Sequence, residues 1–478
     1  MPESAASPRA LAMQLLLRSE RDHVYANLTL DTTLRRYALS AADRALLTVL
    51  VFGVIEKQTT LDYLLAALSS RPVAALDDNV RVLLRMGLYQ LRFLTRVPPH
   101  AALYETVALA PARQRGFVNA VLREYTRRGG DIPLPDRERD PVAYLSVAFS
   151  VPEPLCARFV GIFGAERTAS LLAAFDRETT AGLTVRVNTA RVTPEELAAK
   201  WRAAGLTVRA GNYSAVALTT DEGNPRVLPG FDEGLFFVQD EASQLCVEAL
   251  GATAGQTVMD VCACPGSKTF GIALGMQDRG GDRGEYLGGN RGENREGDRG
   301  ENCGEARGET RGQVRGRILA SDLHENKLSL ITAGAERLGL DCIEVAARDA
   351  RTFCPQYAES ADAVLCDVPC SGYGVIAKKP EIRHKPPETA AGLPDIQLAI
   401  ADTAARYLKK GGVMVYSTCT LLPEENERNV ARLLAAHPEL SPCDFTLGGG
   451  LASTGGTLTL TPDVHGTDGF FIAKLKKE

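Results

Sequence analysis

The sequence predicts a multidomain chain: an all-α N-terminal part, a small α+β module, and a C-terminal α/β domain built on a doubly wound parallel sheet. Three observations predict it. At 478 residues the chain is longer than one ordinary core accommodates. Through residues 1–130 apolar side chains recur at i, i+3 and i+4, the period of a helix buried on one face. From residue 236 onward short apolar strands alternate with helical segments, the pattern of a parallel sheet that carries ligands at the carboxyl ends of its strands.

The helical segments of the first part are SPRALAMQLLLRSE, DRALLTVLVFGVIEKQTTLDYLLAALSS, VRVLLRMGLYQLRFL and GFVNAVLREYTRR. The stretches SRPVAALDD and RVPPHAAL break them. Arg123 and Arg127 lie one turn apart, with Arg113, Arg115 and Arg128 nearby. They form either a solvated helix face or a phosphate-binding stripe. RRGGDIPLPDRERDP, residues 127–141, reads as a linker. Residues 145–235 then read as the α+β module, with strands in GLTVRVNT and LTVRA. Between them TPEELAAKWRAAG is a helix with Thr193 as N-cap, Pro194 at its first position and Glu196 closing a capping box.

Residues 236–478 form the third part. Its strands are QTVMDVCA, GRILASD, CIEVAARD, ADAVLCDVP and GVMVYSTC, with helices between them, and GTLTLTP and GFFIAKLKK close it as an antiparallel pair. One segment does not fit the alternation. Residues 277–316 consist almost wholly of Gly, Arg, Glu, Asp and Asn with nearly balanced charge, and are expected to be disordered. An RGG-like RNA-binding loop is the other reading, which the interspersed acids weaken. Loop closure cost grows slowly with length, so the fold tolerates the insertion.

Composition is that of a water-soluble globular protein: 45% hydrophobic, 24% charged, net charge −5. No apolar run is long enough for a membrane span, and the N-terminus lacks a signal-peptide pattern, so a cytoplasmic protein with no membrane partner is expected. Eleven cysteines in that compartment are expected to be thiols. The net charge does not point to nucleic acid, so any basic patch is local.

The chemistry concentrates at strand tips. MDVCACPGSKT follows the first strand and opens a helix, which brings backbone N–H groups to the switch-point crevice. Its spacing matches neither a Walker loop nor GxGxxG. Asp322, Asp349 and Asp367 end the next three strands, a set suited to an adenosine with a neutral or positive tail. Singly, each reads equally well as a turn or capping residue. Cys370 and Cys419 lie at neighbouring tips. Cys156, Cys246, Cys342, Cys354 and Cys443 read as inert thiols, and Cys303 falls in the insertion. Cys262-x-Cys264 and Cys366-x3-Cys370 lack the pairing of structural zinc, so no metal is expected.

DVCACPGSKT, SDLHENKL, CDVPCSGYGVIAKKPEIR and YSTCTLLPEENE resemble successive motifs of the S-adenosylmethionine-dependent RNA cytosine-C5 methyltransferases. FGVIEKQTTLDYLL, GLYQL, VPPHAALYETV and GFVNAVLRE resemble a NusB-like domain, and the fusion resembles the family's bacterial 16S ribosomal RNA members. The resemblance covers nearly the whole chain except residues 277–316. It implies a Rossmann-like class I methyltransferase domain and S-adenosylmethionine as cofactor. The loop Cys262, Ala263, Cys264, Pro265, Gly266, Ser267, Lys268 would hold the cofactor, with Asp322 at the ribose, Asp349 by the adenine and Asp367 facing cofactor and base. Cys419 would be the nucleophile, and Cys370 would help the product leave. The partner implied is 16S ribosomal RNA before full subunit assembly, the target cytosine 967, and the enzyme a monomer. The family usually has Ala and Gly where this chain has Cys264 and Ser267, and a side chain at 267 is expected to weaken cofactor binding at most. Two other readings stay open on the residues alone: a Pro-Cys nucleophile at Cys370, as in DNA cytosine methyltransferases, and a non-catalytic RNA-binding protein.

Overall fold

A computed structural model describes residues 7–22, 26–178, 182–277 and 316–478. The insertion expected at 277–316, with Cys303, therefore lies outside the described residues except for Gln277 and Gly316. The chain divides into two compact units, Met1–Asp176 with Ile376–Thr389 and Arg177–Val375 with Ala390–Glu478.

The first unit is helical. Its long helices run Pro8–Asp22, Ala26–Arg36, Ala41–Glu56, Gln58–Leu68, Asp78–Phe93, Pro99–Leu109 and Arg115–Arg127, and they share a core that includes Leu11, Leu50, Leu61, Leu83 and Leu122. The helix Arg115–Arg127 shows how sequence sets burial: Val118, Val121, Leu122 and Tyr125 repeat at helical spacing and are its buried residues. Arginines occupy its other side. Arg127 and Arg128 bond Glu124 at 2.7 and 2.8 Å, and Arg123 donates to Asn119 at 3.1 Å, so part of this face's charge is already paired.

Three more helices follow, Pro141–Phe149, Glu153–Phe163 and Ala165–Glu178. The sequence reading began its α+β module at about 145, yet the chain stays helical to Glu178 and the first strand starts at Leu183. Asp140 caps the first of these helices through Ala143 N, and Pro141 sits at its opening position. Among the described residues no single helix is long and apolar enough to cross a membrane.

The segment Ile376–Thr389 belongs to this helical unit. Arg383 is only 1% exposed and donates to the carbonyls of Glu56, Phe149 and Ser150 at 3.2, 3.4 and 3.5 Å. Burial lowers its pKa against the opposing charges of Glu56 and Asp176. Next to it His384 Nε2 lies 2.6 Å from Ile55 O, and burial pushes this imidazole down to about 4.

Among its described residues the second unit holds two main sheets and a two-stranded pair, Thr446–Leu447 with Leu451–Ala452. The strands are β1 (Leu183–Val187), β2 (Val208–Ala210), β3 (Ala217–Thr220), β4 (Phe236–Val238), β5 (Thr257–Asp260), β6 (Arg317–Asp322), β7 (Ile343–Ala347), β8 (Ala361–Asp367), β9 (Leu408–Thr418), β10 (Leu440–Pro442), β11 (Thr446–Leu447), β12 (Leu451–Ala452), β13 (Thr457–Leu460) and β14 (Phe470–Lys477). The smaller sheet is antiparallel in the order β2-β3-β1-β4. The capping box of Thr193 and Glu196 is formed, and its helix buries Trp201, whose indole donates to Pro229 O at 2.8 Å. β4 starts at the residue where the sequence reading opened its third domain, but it pairs with β1 in this smaller sheet.

The larger sheet runs β10-β14-β9-β8-β5-β6-β7, with β13 on β14. β7, β6, β5, β8 and β9 are parallel, and β14 is antiparallel to β9. Alternate residues of β8 feed two cores: Ala363 and Leu365 on one face, Val364 and Cys366 on the other. β9 splits likewise, with Val415 opposed to Met414 and Tyr416. The Thr457–Leu460 and Phe470–Lys477 strands pair antiparallel, as the sequence predicts.

Replacing Arg383 with Met should leave buried carbonyls unpaired and destabilise the helical unit by about 2–4 kcal/mol. Urea unfolding followed by circular dichroism checks this, with a lowered midpoint expected.

Candidate active site

The candidate site lies at the carboxyl ends of the five parallel strands. β5 ends in Asp260, and the chain then turns through Cys262–Gly266 into the helix Ser267–Gly275. Ala263 N bonds Ser321 O at 2.9 Å, and Cys264 N donates to the Asp322 carboxylate at 3.3 Å. Asp322 ends β6 and also accepts from His324 N at 3.1 Å, so it braces the loop from the neighbouring strand. The left-handed backbone position falls on Gly266, at φ 109°, where an added Cβ would lie 2.6 Å from Phe270. Ser267 therefore carries its side chain without backbone strain. Cys264 Sγ donates to Lys327 O at 3.3 Å.

Lys268 reaches across from this helix to Asp367 at the tip of β8. Its Nζ lies 2.7 Å from Oδ2, and Ser417 Oγ donates to Oδ1 at 2.8 Å. The ammonium also lies 5.2 Å from the Phe470 ring centre. Burial opposes the charged lysine, but Asp367, Cys246 and Cys419 outweigh it and raise its pKa above the ordinary value.

Cys370 and Cys419 follow the ends of β8 and β9, with their sulfurs 3.2 Å apart. The hydrogen bond to Cys419 holds the Cys370 thiol well above its ordinary pKa, and burial and the charges of Cys419, Glu425 and Asp367 add to it. The Cys419 backbone is fixed as well: Gly374 N donates to its carbonyl at 2.9 Å, and Gly469 N donates to Gly374 O at 2.9 Å. A Cβ on Gly374 would lie 1.9 Å from Gly469 O, so this approach of two backbones requires glycine.

Asp349 stands apart from this cluster. It lies two residues beyond β7 rather than ending the strand, and Arg351 grips its carboxylate at 2.6–3.1 Å. That bond holds its carboxyl below the usual range. Burial pushes Cys156 and Cys246 up to about 12 and Cys342 to about 11. No cluster of metal-ligating side chains occurs among the described residues.

Sequence reasoning did not find the Lys268–Asp367 pair, the Ser417 bond to Asp367, or Asp260 as a buried acid. The first joins residues 99 apart in the chain. A signal existed only for the last, in an aspartate that interrupts the apolar run QTVMDVCA.

A family model described as 16S rRNA methyltransferase RsmB/F matches residues 311–476, and one described as NusB family matches residues 6–127. A Bacillus subtilis protein named probable ribosomal RNA small subunit methyltransferase B is 32% identical over 487 residues, covering 99% of each chain. A Sodalis glossinidius protein named ribosomal RNA small subunit methyltransferase B is 32% identical, covering 92% of this chain and 91% of its own. The chain belongs to the ribosomal RNA small subunit methyltransferase B family. Its fold is that of solved structures of low identity. The structure titled PH0851 has a TM-score of 0.75 at 23% identity, with 99% of both chains covered. A methyltransferase homolog protein from Pyrococcus horikoshii has a TM-score of 0.55 at 24% identity, covering 70% of this chain and 98% of its own.

The cofactor of this family is S-adenosylmethionine. The donor set here fits it: carboxylates at 322 and 367 flank a glycine-containing turn at a helix N-terminus, a combination suited to ribose hydroxyls, an amino acid tail and a sulfonium charge. Asp349 would have to share its carboxylate with Arg351.

Asp260 gives the site a pH signature. It is 1% exposed and accepts a hydrogen bond from Thr269 Oγ1 at 2.7 Å. Burial pushes its carboxyl up to about 7. The folded state therefore holds a proton that the unfolded chain, with an ordinary carboxyl, releases near pH 4. That stability is full below pH 4 and is lost as pH rises through 7. Relative to Asp260→Asn, the wild type should lose about 2–4 kcal/mol between pH 4.5 and 8, measurable by urea unfolding at both values.

Proposed function

We propose that the chain methylates C5 of a cytosine in 16S ribosomal RNA, the cytosine numbered 967 by family resemblance, with Cys419 as the nucleophile. The observation that carries this reading is the pair of sulfurs 3.2 Å apart, beside the Lys268–Asp367 ion pair. Cytosine C5 is a poor nucleophile. Addition of the Cys419 sulfur to C6 converts the ring to an enamine and moves electron density to C5. S-adenosylmethionine, when bound, supplies an electrophilic methyl group. Asp367, held by Lys268 and Ser417, bonds the N3/N4 edge of the base and stabilises the adduct. Loss of the C5 proton and of the Cys419 sulfur restores the ring.

By the family resemblance Cys419 attacks and Cys370 serves release. Cys370, whose bond to Cys419 and burial favour its protonated form, hydrogen-bonds the Cys419 sulfur as that sulfur departs. Two thiols in contact speak against a purely RNA-binding role. The base must leave its stack to be reached, which fits RNA acted on before the subunit is fully assembled, and the family resemblance implies a monomer.

Labelled S-adenosylmethionine and unmodified 16S RNA test the assignment. Cys419→Ala should abolish transfer, by at least about 1,000-fold. Cys370→Ala should accumulate a covalent protein–RNA adduct. Full activity in Cys419→Ala would sink the assignment.

A further inference from the structure

Behind the two thiols lies a buried polar network that the proposed chemistry does not use. At its centre is Glu425, in the turn that follows β9, 0% exposed. Its Oε2 accepts from Ser371 N at 3.0 Å and from Gln397 Nε2 at 2.7 Å. The same Gln397 nitrogen donates to Pro369 O at 2.9 Å. Glu425 and Gln397 thus grip the backbone on both sides of Cys370. The grip is tied to the other cysteine loop: Glu425 follows Cys419 in the same turn, its carbonyl accepts from Tyr416 OH at 2.6 Å, and Ser371 Oγ and Thr420 Oγ1 lie 2.7 Å apart.

Two facts set this carboxylate apart from a structural filler. Among the described residues it forms no ion pair, and its Oε1 is buried with no hydrogen-bond partner. A buried carboxylate left partly unsatisfied costs stability, and a neutral side chain would satisfy the same two donors at lower cost. The charge also acts on the site, since it is one of the groups that raise Cys370.

We propose that Glu425 is a positioning residue that clamps the Cys370 loop onto the Cys419 loop and keeps the two sulfurs at proton-sharing distance. The clamp follows from geometry alone; its consequence for product release rests on the function proposed above. Without the clamp the Cys370 loop relaxes, its thiol no longer meets the Cys419 sulfur, and release slows while addition and transfer continue.

The test uses the full chain as wild type, Glu425→Ala, Glu425→Gln and Gln397→Leu. The first readout is the rate at which dibromobimane bridges Cys370 and Cys419, which needs neither RNA nor cofactor. The second is the ratio of protein-bound to released methylated RNA. Glu425→Ala should bridge about tenfold more slowly, a loss of the size expected for two buried hydrogen bonds, and should retain RNA as adduct. Glu425→Gln, whose amide oxygen accepts the same donors, should restore bridging to within about twofold and lower the pH at which Cys370 is alkylated. Wild-type bridging in Glu425→Ala overturns the proposal, as does equal slowing in the Ala and Gln variants. If Glu425→Ala fails to fold by circular dichroism, Gln397→Leu decides: slowed bridging supports the clamp and wild-type bridging overturns it. Transfer persisting in Cys419→Ala would instead overturn the proposed function and leave the bridging result standing.

Discussion

Parallel pairing of β8 with β9 sets Asp367 opposite Ser417, and the rest of the site is built outward from that register. Ser417 bonds Asp367 across the pair, while the chain beyond each tip carries a cysteine into the same crevice. Strand register is strongly specified where both faces are buried, because a one-residue slip would turn every core side chain to the wrong face. β8 and β9 are buried on both faces, so two hydrophobic cores hold the register that brings the sulfurs together. The antiparallel strand β14 lies on the far side of β9 and supplies Phe470 against Lys268.

Electrostatics then distinguishes the groups that packing has gathered. One lysine meets Asp367 in a largely buried setting, its side chain 12% exposed, where attraction is weakly screened. Asp260 is buried deeper: desolvation raises its carboxyl, the Thr269 hydrogen bond opposes that, and Asp367 adds a smaller push upward. Cys370 answers to Cys419 first. Acids and thiols of ordinary chemistry thus acquire different proton affinities from position alone.

Much of this was legible in the sequence, for physical reasons. Buried parallel strands read as continuous apolar runs, so β5, β6, β8 and β9 stood out, and Asp322 and Asp367 could be put at strand tips. Thr193 and Glu196 announced their helix through a local capping pattern. Strands as short as β3 and β4 left too few residues to show a period, and the helices from Pro141 to Glu178 were passed over between a linker and a strand. Partners distant in the chain were the least visible. The carboxylates after Cys419 were conspicuous as a cluster, but nothing local tells that Glu425 turns inward to Ser371 and Gln397. Ser267 shows the converse: the left-handed turn falls on the adjacent Gly266, so the serine meets no backbone strain.

The account rests on Cys419 being the sulfur that bonds the base. RNA carrying 5-fluorocytosine tests this directly, because a C5–fluorine bond cannot release the proton that elimination requires, so the adduct persists after methyl transfer. Digestion of the trapped complex and mass spectrometry of the RNA-linked peptide should find the nucleotide on the peptide that contains Cys419, with one methyl group added. The nucleotide on the Cys370 peptide, or methyl transfer with no adduct, would contradict the account.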